Sequence, residues 1–346
     1  MAELHLDELV EYGTNAQQGN LLGIQPFMLP ADYACEETFY AKINAYLSVA
    51  QQRGWLDPKT IVVLPEYIGI WLAAAGEKPR VYQATSVAVA MQTLILSHPL
   101  RFIAAFLSAK AKDRVKYGVF RLKAQEMARL YQRVFSRLAS DYRATIVAGS
   151  ILLPSPRIEG SNLAIGCGKL YNVSLVYKPD GSPYGHIIHK VYPVWDELPF
   201  VARGDLAALP VFDTPTGKLG VLICADSWYP DAYETLQAKG AELVAVPSYL
   251  APDGIWNQPW RGYNGGAAPA DVNAGDVQAL TEGEAWLKYA LAGRASKAGI
   301  RYGINVFLRG KLWDLGSDGH TVMVRNGTVV EAKHVSGAAV VNCWIS

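Results

Sequence analysis

Charge is scarce in this chain. Asp, Glu, Lys and Arg make up 18% of the 346 residues, and the formal net charge is +1. That balance offers no general attraction for a polyanion, so it gives no argument for nucleic acid as a partner. Cysteine is scarce as well. Cys35, Cys167, Cys224 and Cys343 lie far apart and form no CxxC pair, which argues against both a zinc site and a disulfide framework. None of the six histidines makes a metal pair at helical spacing. His186 and His189 flank Ile187-Ile188 on a predicted strand, where structural roles are expected. No GxGxxG or Walker pattern opens a helix, so no phosphate cradle is predicted. Residues 1–8 lack the basic start and apolar run of a signal peptide, so a reducing cytosol is the expected compartment.

What is abundant is apolar side chain, at 51% of residues. A chain of this length can bury a sizeable core, and length alone permits two domains at about 150 residues each. No repeat or low-complexity tract divides it, and one domain over 1–346 is expected. Apolar runs predict strands at 21–28, 60–64, 144–150, 170–177, 182–191, 217–224, 242–248 and 300–308. Helices are predicted over 36–53, 231–239 and 286–298. Met127, Leu130, Tyr131, Val134, Phe135 and Leu138 recur at helical spacing and predict an amphipathic helix within 125–143. Hairpins joining two βαβ-like halves suggest an α/β fold with antiparallel pairs, unlike a nucleotide-binding parallel sheet.

Two stretches stand apart. Residues 76–120 hold a long apolar run and seven Lys/Arg against two Asp/Glu. Val81–Ser97 approaches the length of a membrane span, but a single crossing would strand the later strands on the far side. The candidate return segment, 125–143, is too charged to cross. The stretch is expected to form helices lying on an apolar surface: a partner subunit, the rest of the fold, or a membrane surface. Residues 250–285, rich in Gly, Ala, Asn and Pro, are expected to form a long mobile loop.

Three reactive side chains of different kind fall at predicted strand ends. Thr60-Ile-Val-Val-Leu64 stops at Pro65-Glu66-Tyr67, leaving a carboxylate at its end. The strands around 170–177 and 182–191 flank Lys178-Pro-Asp-Gly181, a turn in which Pro presets φ and Gly permits φ > 0. That hairpin delivers Lys190. Gly220-Val-Leu-Ile-Cys224 ends because the following Ala-Asp-Ser-Trp-Tyr-Pro230 breaks the apolar pattern. Each residue alone has a plain reading: a core cysteine, or a glutamate solvated in a loop. Together they supply what acyl transfer from a C–N bond requires. A thiolate attacks, a carboxylate takes and returns a proton, and an ammonium stabilises the oxyanion.

These motifs resemble the signatures of the nitrilase superfamily, carbon–nitrogen hydrolases with a Glu-Lys-Cys triad. Val62-Val-Leu-Pro-Glu66-Tyr67 matches the first signature. Tyr171-Asn172 through Pro179-Asp-Gly181 to His189-Lys190-Val191 matches the second, and Gly220-Val-Leu-Ile-Cys224-Ala-Asp226 with Tyr229-Pro230 matches the third. Gly240-Ala241, Pro247-Ser248, Arg294-Ala295, Asn305 and Gly319-His-Thr321 follow in order. The likeness runs from about Leu21 onward, apart from 76–120 and parts of 250–285.

The resemblance implies a four-layer α-β-β-α sandwich, here with a helical apolar and basic insertion, and a homodimer or higher homo-oligomer. It implies Glu66 as general base and acid, Cys224 as nucleophile, and Lys190 with the Ala225 N–H at the oxyanion. The adjacent ammonium is expected to lower the thiol pKa. Glu197 is the nearest match to a second glutamate that aligns the lysine, with Asp196 beside it. No metal or organic cofactor is implied. Ser227-Trp228 stand where several branches carry Arg. Tyr67, Trp195, Trp228 and Tyr229 are candidate pocket residues. Cys followed two places later by Asp, then an aromatic and Pro, resembles amidase-type branches. The expected reaction is cleavage of a non-peptide amide or carbamoyl bond through a Cys224 thioester. Nitrile hydrolysis and N-acyl transfer are the alternatives with the same residues. A Cys-His hydrolase using His186 or His189 is a third, and a membrane- or subunit-binding module acting through 76–120 belongs to another class. Peripheral membrane contact is compatible with a cytoplasmic enzyme.

Overall fold

Apolar runs become the central strands of two sheets. In the computed structural model, which describes residues 3–346, Asn20–Gln25, Thr60–Val63 and Thr145–Val147 lie parallel and wholly buried. They form the middle of an eight-stranded sheet. The hairpin Leu170–Tyr177/Pro183–His189 closes one side, and Ala338–Trp344 with Leu6–Tyr12 the other. The second sheet has six strands: Val211–Thr214, Gly217–Val221, Leu243–Ser248, Tyr302–Phe307, Val322–Arg325 and Thr328–Glu331, in that order. Its central three are parallel.

Strands buried on both faces require cover on both faces. Alternation supplies it. Leu21, Ile61, Val63 and Val147 share a core with Val221, Val246, Ile304 and Val306 of the facing sheet. Leu22, Ile24, Val62 and Ile146 pack instead with Phe39, Ile43, Tyr131 and Phe135, from the helices Glu36–Gln52 and Arg114–Tyr142. On the far side, Leu236 of the helix Pro230–Ala238 presses on Gly220, where an added Cβ would stand 2.5 Å from its side chain. The layers therefore run helix, sheet, sheet, helix.

Strand direction then gathers the strand ends. Pro183–His189 is antiparallel to Leu170–Tyr177, itself antiparallel to Thr145–Val147. It consequently runs with Thr60–Val63, and both carboxyl ends emerge at one edge. Open α/β sheets bind ligands at that edge.

Several elements differ from expectation. The strands Leu6–Tyr12 and Ala338–Trp344, parallel to each other, are additional. Asp7, Glu8 and Glu11 mask the first as a polar segment. The long helix starts at Arg114, well before 125, because Asp113 caps it by accepting from the N–H groups of Val115 and Lys116. Gly118 interrupts its periodicity at a place where Phe102 packs so closely that a Cβ would lie 2.8 Å away. Instead of one helix over 286–298, Glu282–Tyr289 starts earlier on a Thr281–Glu284 capping box, and two short turns follow.

The stretch 76–120 contributes the helices Val87–Ser97 and Pro99–Leu107, bent by 105° at His98-Pro99. Among the described residues no single helix is long and apolar enough to cross a membrane. The stretch 250–285 lacks long regular elements but is pinned, contrary to a mobile loop. Trp260 N–H donates to Leu280 O, Gln278 N–H to Trp260 O, and Arg294 holds Asp271 with both terminal nitrogens.

Candidate active site

Each candidate side chain sits just past a strand whose burial fixes it. Glu66 follows Thr60–Val63 by three residues, and Lys190 directly follows Pro183–His189. The third strand stops at Val221, so Cys224 opens the short 3-10 turn Cys224–Trp228 and does not end the strand itself. Cys224 has φ +50° and Tyr67 φ +62°, left-handed values that cost L-residues about 1–3 kcal/mol. Local bonds hold both. Tyr67 N–H donates to Ser150 Oγ at 2.9 Å, and Ser227 Oγ donates to Cys224 O at 2.7 Å.

Asp226 ties the turn Cys224–Trp228 to the segment that follows the lysine. Its carboxylate accepts from Val191 N–H at 3.0 Å, Tyr192 N–H at 2.8 Å and Ile223 N–H at 3.2 Å. Burial pushes its carboxyl up to about 7, against those donors. Sequence reading placed Asp226 in a motif without giving it this task.

Lys190, 1% exposed, is held by two carboxylates. Its Nζ lies 2.7 Å from Glu66 Oε1 and 2.7 Å from Glu197 Oε2. Asn172 Nδ2 donates to Glu66 Oε1 at 2.9 Å and to Glu197 Oε1 at 2.8 Å, so one amide fixes both acids. Tyr67 OH donates to Glu197 Oε1 at 2.6 Å and Val194 N–H to Glu197 Oε2 at 3.0 Å. The Tyr171-Asn172 motif alone does not assign Asn172 this bridging role. A polar residue inside the apolar strand Leu170–Tyr177 was the signal that could have singled it out.

These contacts split the two glutamates. Burial raises the Glu66 carboxyl, and the Glu197 charge adds to that, with the Lys190 ammonium opposing. For Glu197 burial also raises, but the ammonium and the Tyr67 hydroxyl outweigh it and hold the carboxyl below the usual range. Burial opposes the charge on Lys190, yet the two carboxylates keep its pKa well above ordinary. The Cys224 thiol is pushed well up by burial and then by the Glu66 charge, with Lys190 opposing too weakly. This direction is opposite to the lowering expected from the adjacent ammonium, because burial and the Glu66 charge act against it.

A cavity of about 240 Å³ joins Glu66, Lys190, Cys224 and Ala225. Trp228, Tyr229, Trp260, Tyr263 and Trp286 form its aromatic side, and Glu282 borders it with a carboxyl raised by burial to about 7. Trp195 is a correction. It is 66% exposed and does not line the cavity, because the loop turns its neighbours Val194 and Asp196 inward instead. Trp260, Tyr263 and Trp286 were missed because they come from the segment read as loop and from its flanking helix. Neither His186 nor His189 borders the cavity. His186 is exposed, and His189 packs edge-on against Tyr171 with ring centroids 5.0 Å apart. Among the described residues no group of three or more His, Cys, Asp and Glu could hold a metal ion.

A four-layer sandwich with a buried thiol, ammonium and carboxylates at its strand ends has the architecture of the nitrilase superfamily. The chain belongs to the carbon–nitrogen hydrolase family, which matches residues 34–264. Nitrilase 2 of Arabidopsis thaliana is 32% identical over 127 residues, 33% of this chain and 36% of that protein. The chain thus spans about a third of the length of the curated relatives it matches. Two solved structures share the fold across nearly the whole chain. One is the amidase from Nesterenkonia sp. AN1 with the acetamide moiety of fluoroacetamide covalently added at its active-site cysteine. It has a TM-score of 0.56 and 17% identity, covering 96% of this chain and 93% of that one. The other is Saccharomyces cerevisiae Nit3, with a TM-score of 0.53 and 18% identity over 93% and 88%.

Proposed function

We propose that this carbon–nitrogen hydrolase cleaves a non-peptide amide or carbamoyl C–N bond through a thioester on Cys224. The observation that carries the reading is Lys190 held at 2.7 Å by both Glu66 and Glu197, with Glu66 and Lys190 sharing one cavity with the Cys224 thiol. Glu66 takes the Sγ proton as sulfur attacks the carbonyl carbon. Lys190 and the Ala225 N–H hold the oxyanion. Asp226 N–H donates to Ile223 O, and among the described residues the N–H of Ala225 before it has no backbone acceptor. The tetrahedral adduct collapses, the C–N bond breaks, and Glu66 returns its proton to the departing nitrogen. Water then gives a proton to Glu66 and adds to the thioester, and the thiolate leaves and recovers that proton.

An amide presents a carbonyl oxygen to Lys190 from the first attack and needs a single proton for its leaving nitrogen. A nitrile needs protons on nitrogen in stages, so Glu66 would have to be reprotonated between them. Matched amides and nitriles sharing one acyl group, compared by kcat/KM, test the assignment. Faster turnover of the nitriles across several acyl groups would overturn it, and an amine that captures the thioester in place of water would make the protein a transferase.

The insertion supports a second reading, that this face docks on an anionic lipid surface. Leu96, Leu100 and Leu107 are 79%, 81% and 68% exposed. Leu100, Ile103 and Leu107 share one face of their helix, and Arg101, Lys110 and Lys112 stand exposed around it. Co-sedimentation with anionic vesicles, weakened by salt, is the expected result, and full recovery in the supernatant sinks it.

A further inference from the structure

A second cavity adjoins the first, and the insertion builds it. It encloses about 310 Å³. Val87, Ala90, Met91 and Leu94 line it at i, i+3, i+4 and i+7 of the helix Val87–Ser97, which makes them one helical face. Phe120 and Trp313 face them. The walls are apolar apart from Lys116 and the side toward the reaction cavity. There Tyr67, Asp196 and Tyr249 border both spaces. Tyr67 directly follows Glu66 and holds Glu197, and Tyr249 offers its carbonyl to the Cys224 thiol at 3.7 Å. The two rings lie 5.7 Å apart and tilted by 57°. An insertion needed only for packing would close such a space, since wall atoms facing a void forfeit their contacts. Small side chains, Ala74 and Ala90 among them, keep it open instead.

We infer that this cavity receives an apolar chain of the substrate, carried on one side of the scissile C–N bond. The preferred substrates are then amides bearing a long alkyl or arylalkyl group. This rests on the C–N hydrolysis reading above and adds the substrate class to it. Each methylene that moves from water into the cavity raises kcat/KM about three- to fourfold until the space is full.

Two homologous series test it: straight-chain primary amides, which lengthen the acyl side, and N-alkyl acetamides, which lengthen the amine side. In the wild type, kcat/KM climbs over several methylenes and levels off in one of the series, which tells the side. Ala90→Phe brings the plateau to shorter chains and lowers the long members at least tenfold, while propanamide turnover stays within about twofold. Met91→Trp narrows the same face and gives the same pattern if Ala90→Phe does not fold. Calorimetric binding of dodecanamide to Cys224→Ala reads the cavity without chemistry, and Ala90→Phe in that background weakens it about tenfold. Flat chain-length profiles in both series overturn the inference, as does equal slowing of short and long amides by the narrowing variants. Intact chain-length-dependent binding with no turnover of any amide would instead sink the hydrolysis reading and leave the cavity assignment standing.

Discussion

The reaction cavity and the insertion handle exposure in opposite ways. Beside Cys224 the charges of Glu66, Lys190 and Glu197 are buried and answered: Lys190 has two carboxylates, Glu197 has three further donors, and Asn172 bridges both acids. In the insertion one set of apolar side chains faces outward, with Leu96 and Leu100 about four-fifths exposed, although a buried cluster anchors the segment. Glu77, with its side chain 3% exposed, accepts from Lys123 at 2.8 Å and pairs with His98 at 2.9 Å. The first region is overdetermined, as a site for chemistry must be, because a buried charge without its partner costs more than the pair contributes. The second is fixed at its root and open on its face, as a surface for something else must be.

The sharpest way to break this contrast is at the proposed catalytic residues. Cys224→Ala, Lys190→Ala and Glu66→Gln should each lower turnover by roughly a thousandfold or more. The residues act as one unit, so double variants should lose little beyond the singles. Steady-state kinetics on one good amide measures this, with circular dichroism to show that the fold persists. Near-normal activity in Glu66→Gln together with loss in His189→Ala would replace the mechanism with a Cys-His one.

A smaller effect is expected from Glu197→Gln. It removes a charge-assisted bond to Lys190, worth about 1.5–3 kcal/mol, so kcat should fall about ten- to a hundredfold. The informative readout is the pH profile. Glu66 must be ionised to accept the thiol proton, so activity is lost as pH falls through its raised pKa. The Glu197 charge is one cause of that raise. Neutralising it should therefore move the acid limb of kcat/KM to lower pH. A limb that stays put or moves upward would mean that another group sets it.

Much of this cluster was legible because its three reactive side chains sit at or just past strand ends. Short apolar runs ending on Glu66, Lys190 and Cys224 are visible one at a time, and their kinds suit one reaction. What could not be read was the second ring of contacts. Asn172 and Asp226 act across strands, and nothing local to Asp226 says that it accepts from Val191 and Tyr192, more than thirty residues away. Edge strands were lost for a different reason. Leu6–Tyr12 carries charges at Asp7, Glu8 and Glu11 and is recognisable only beside Ala338–Trp344. The long helix was found by its clean period, and its true start was hidden by Gly118, whose purpose is to admit Phe102.

The root of the insertion gives the next prediction. Glu77→Gln should cost about 1–3 kcal/mol of stability in urea unfolding, since Lys123 keeps Glu126 and the Ala75 carbonyl as partners. Short-amide turnover should change by less than about threefold, because no atom of Glu77 borders the reaction cavity. A collapse of short-amide activity would mean that insertion and site are one cooperative unit and would erase the contrast.

The smallest stability effect belongs to the open face. Leu100→Ser, Ile103→Ser and Leu107→Ser remove side chains that water already reaches, so each should change stability by no more than about 0.5 kcal/mol. Their consequence lies in the other phase. If the face inserts into headgroups, each loses burial of its own apolar surface there, about 1.5–3 kcal/mol for a full leucine, and the triple variant should leave anionic vesicles altogether. Lys110→Glu with Lys112→Glu should weaken binding in a way that added salt mimics in the wild type. The comparison that decides is vesicle co-sedimentation set beside sedimentation velocity. Loss of vesicle binding with an unchanged sedimentation coefficient supports lipid docking. Unchanged vesicle recovery with a slower-sedimenting triple variant would instead assign the leucines to contact with a second copy of the chain.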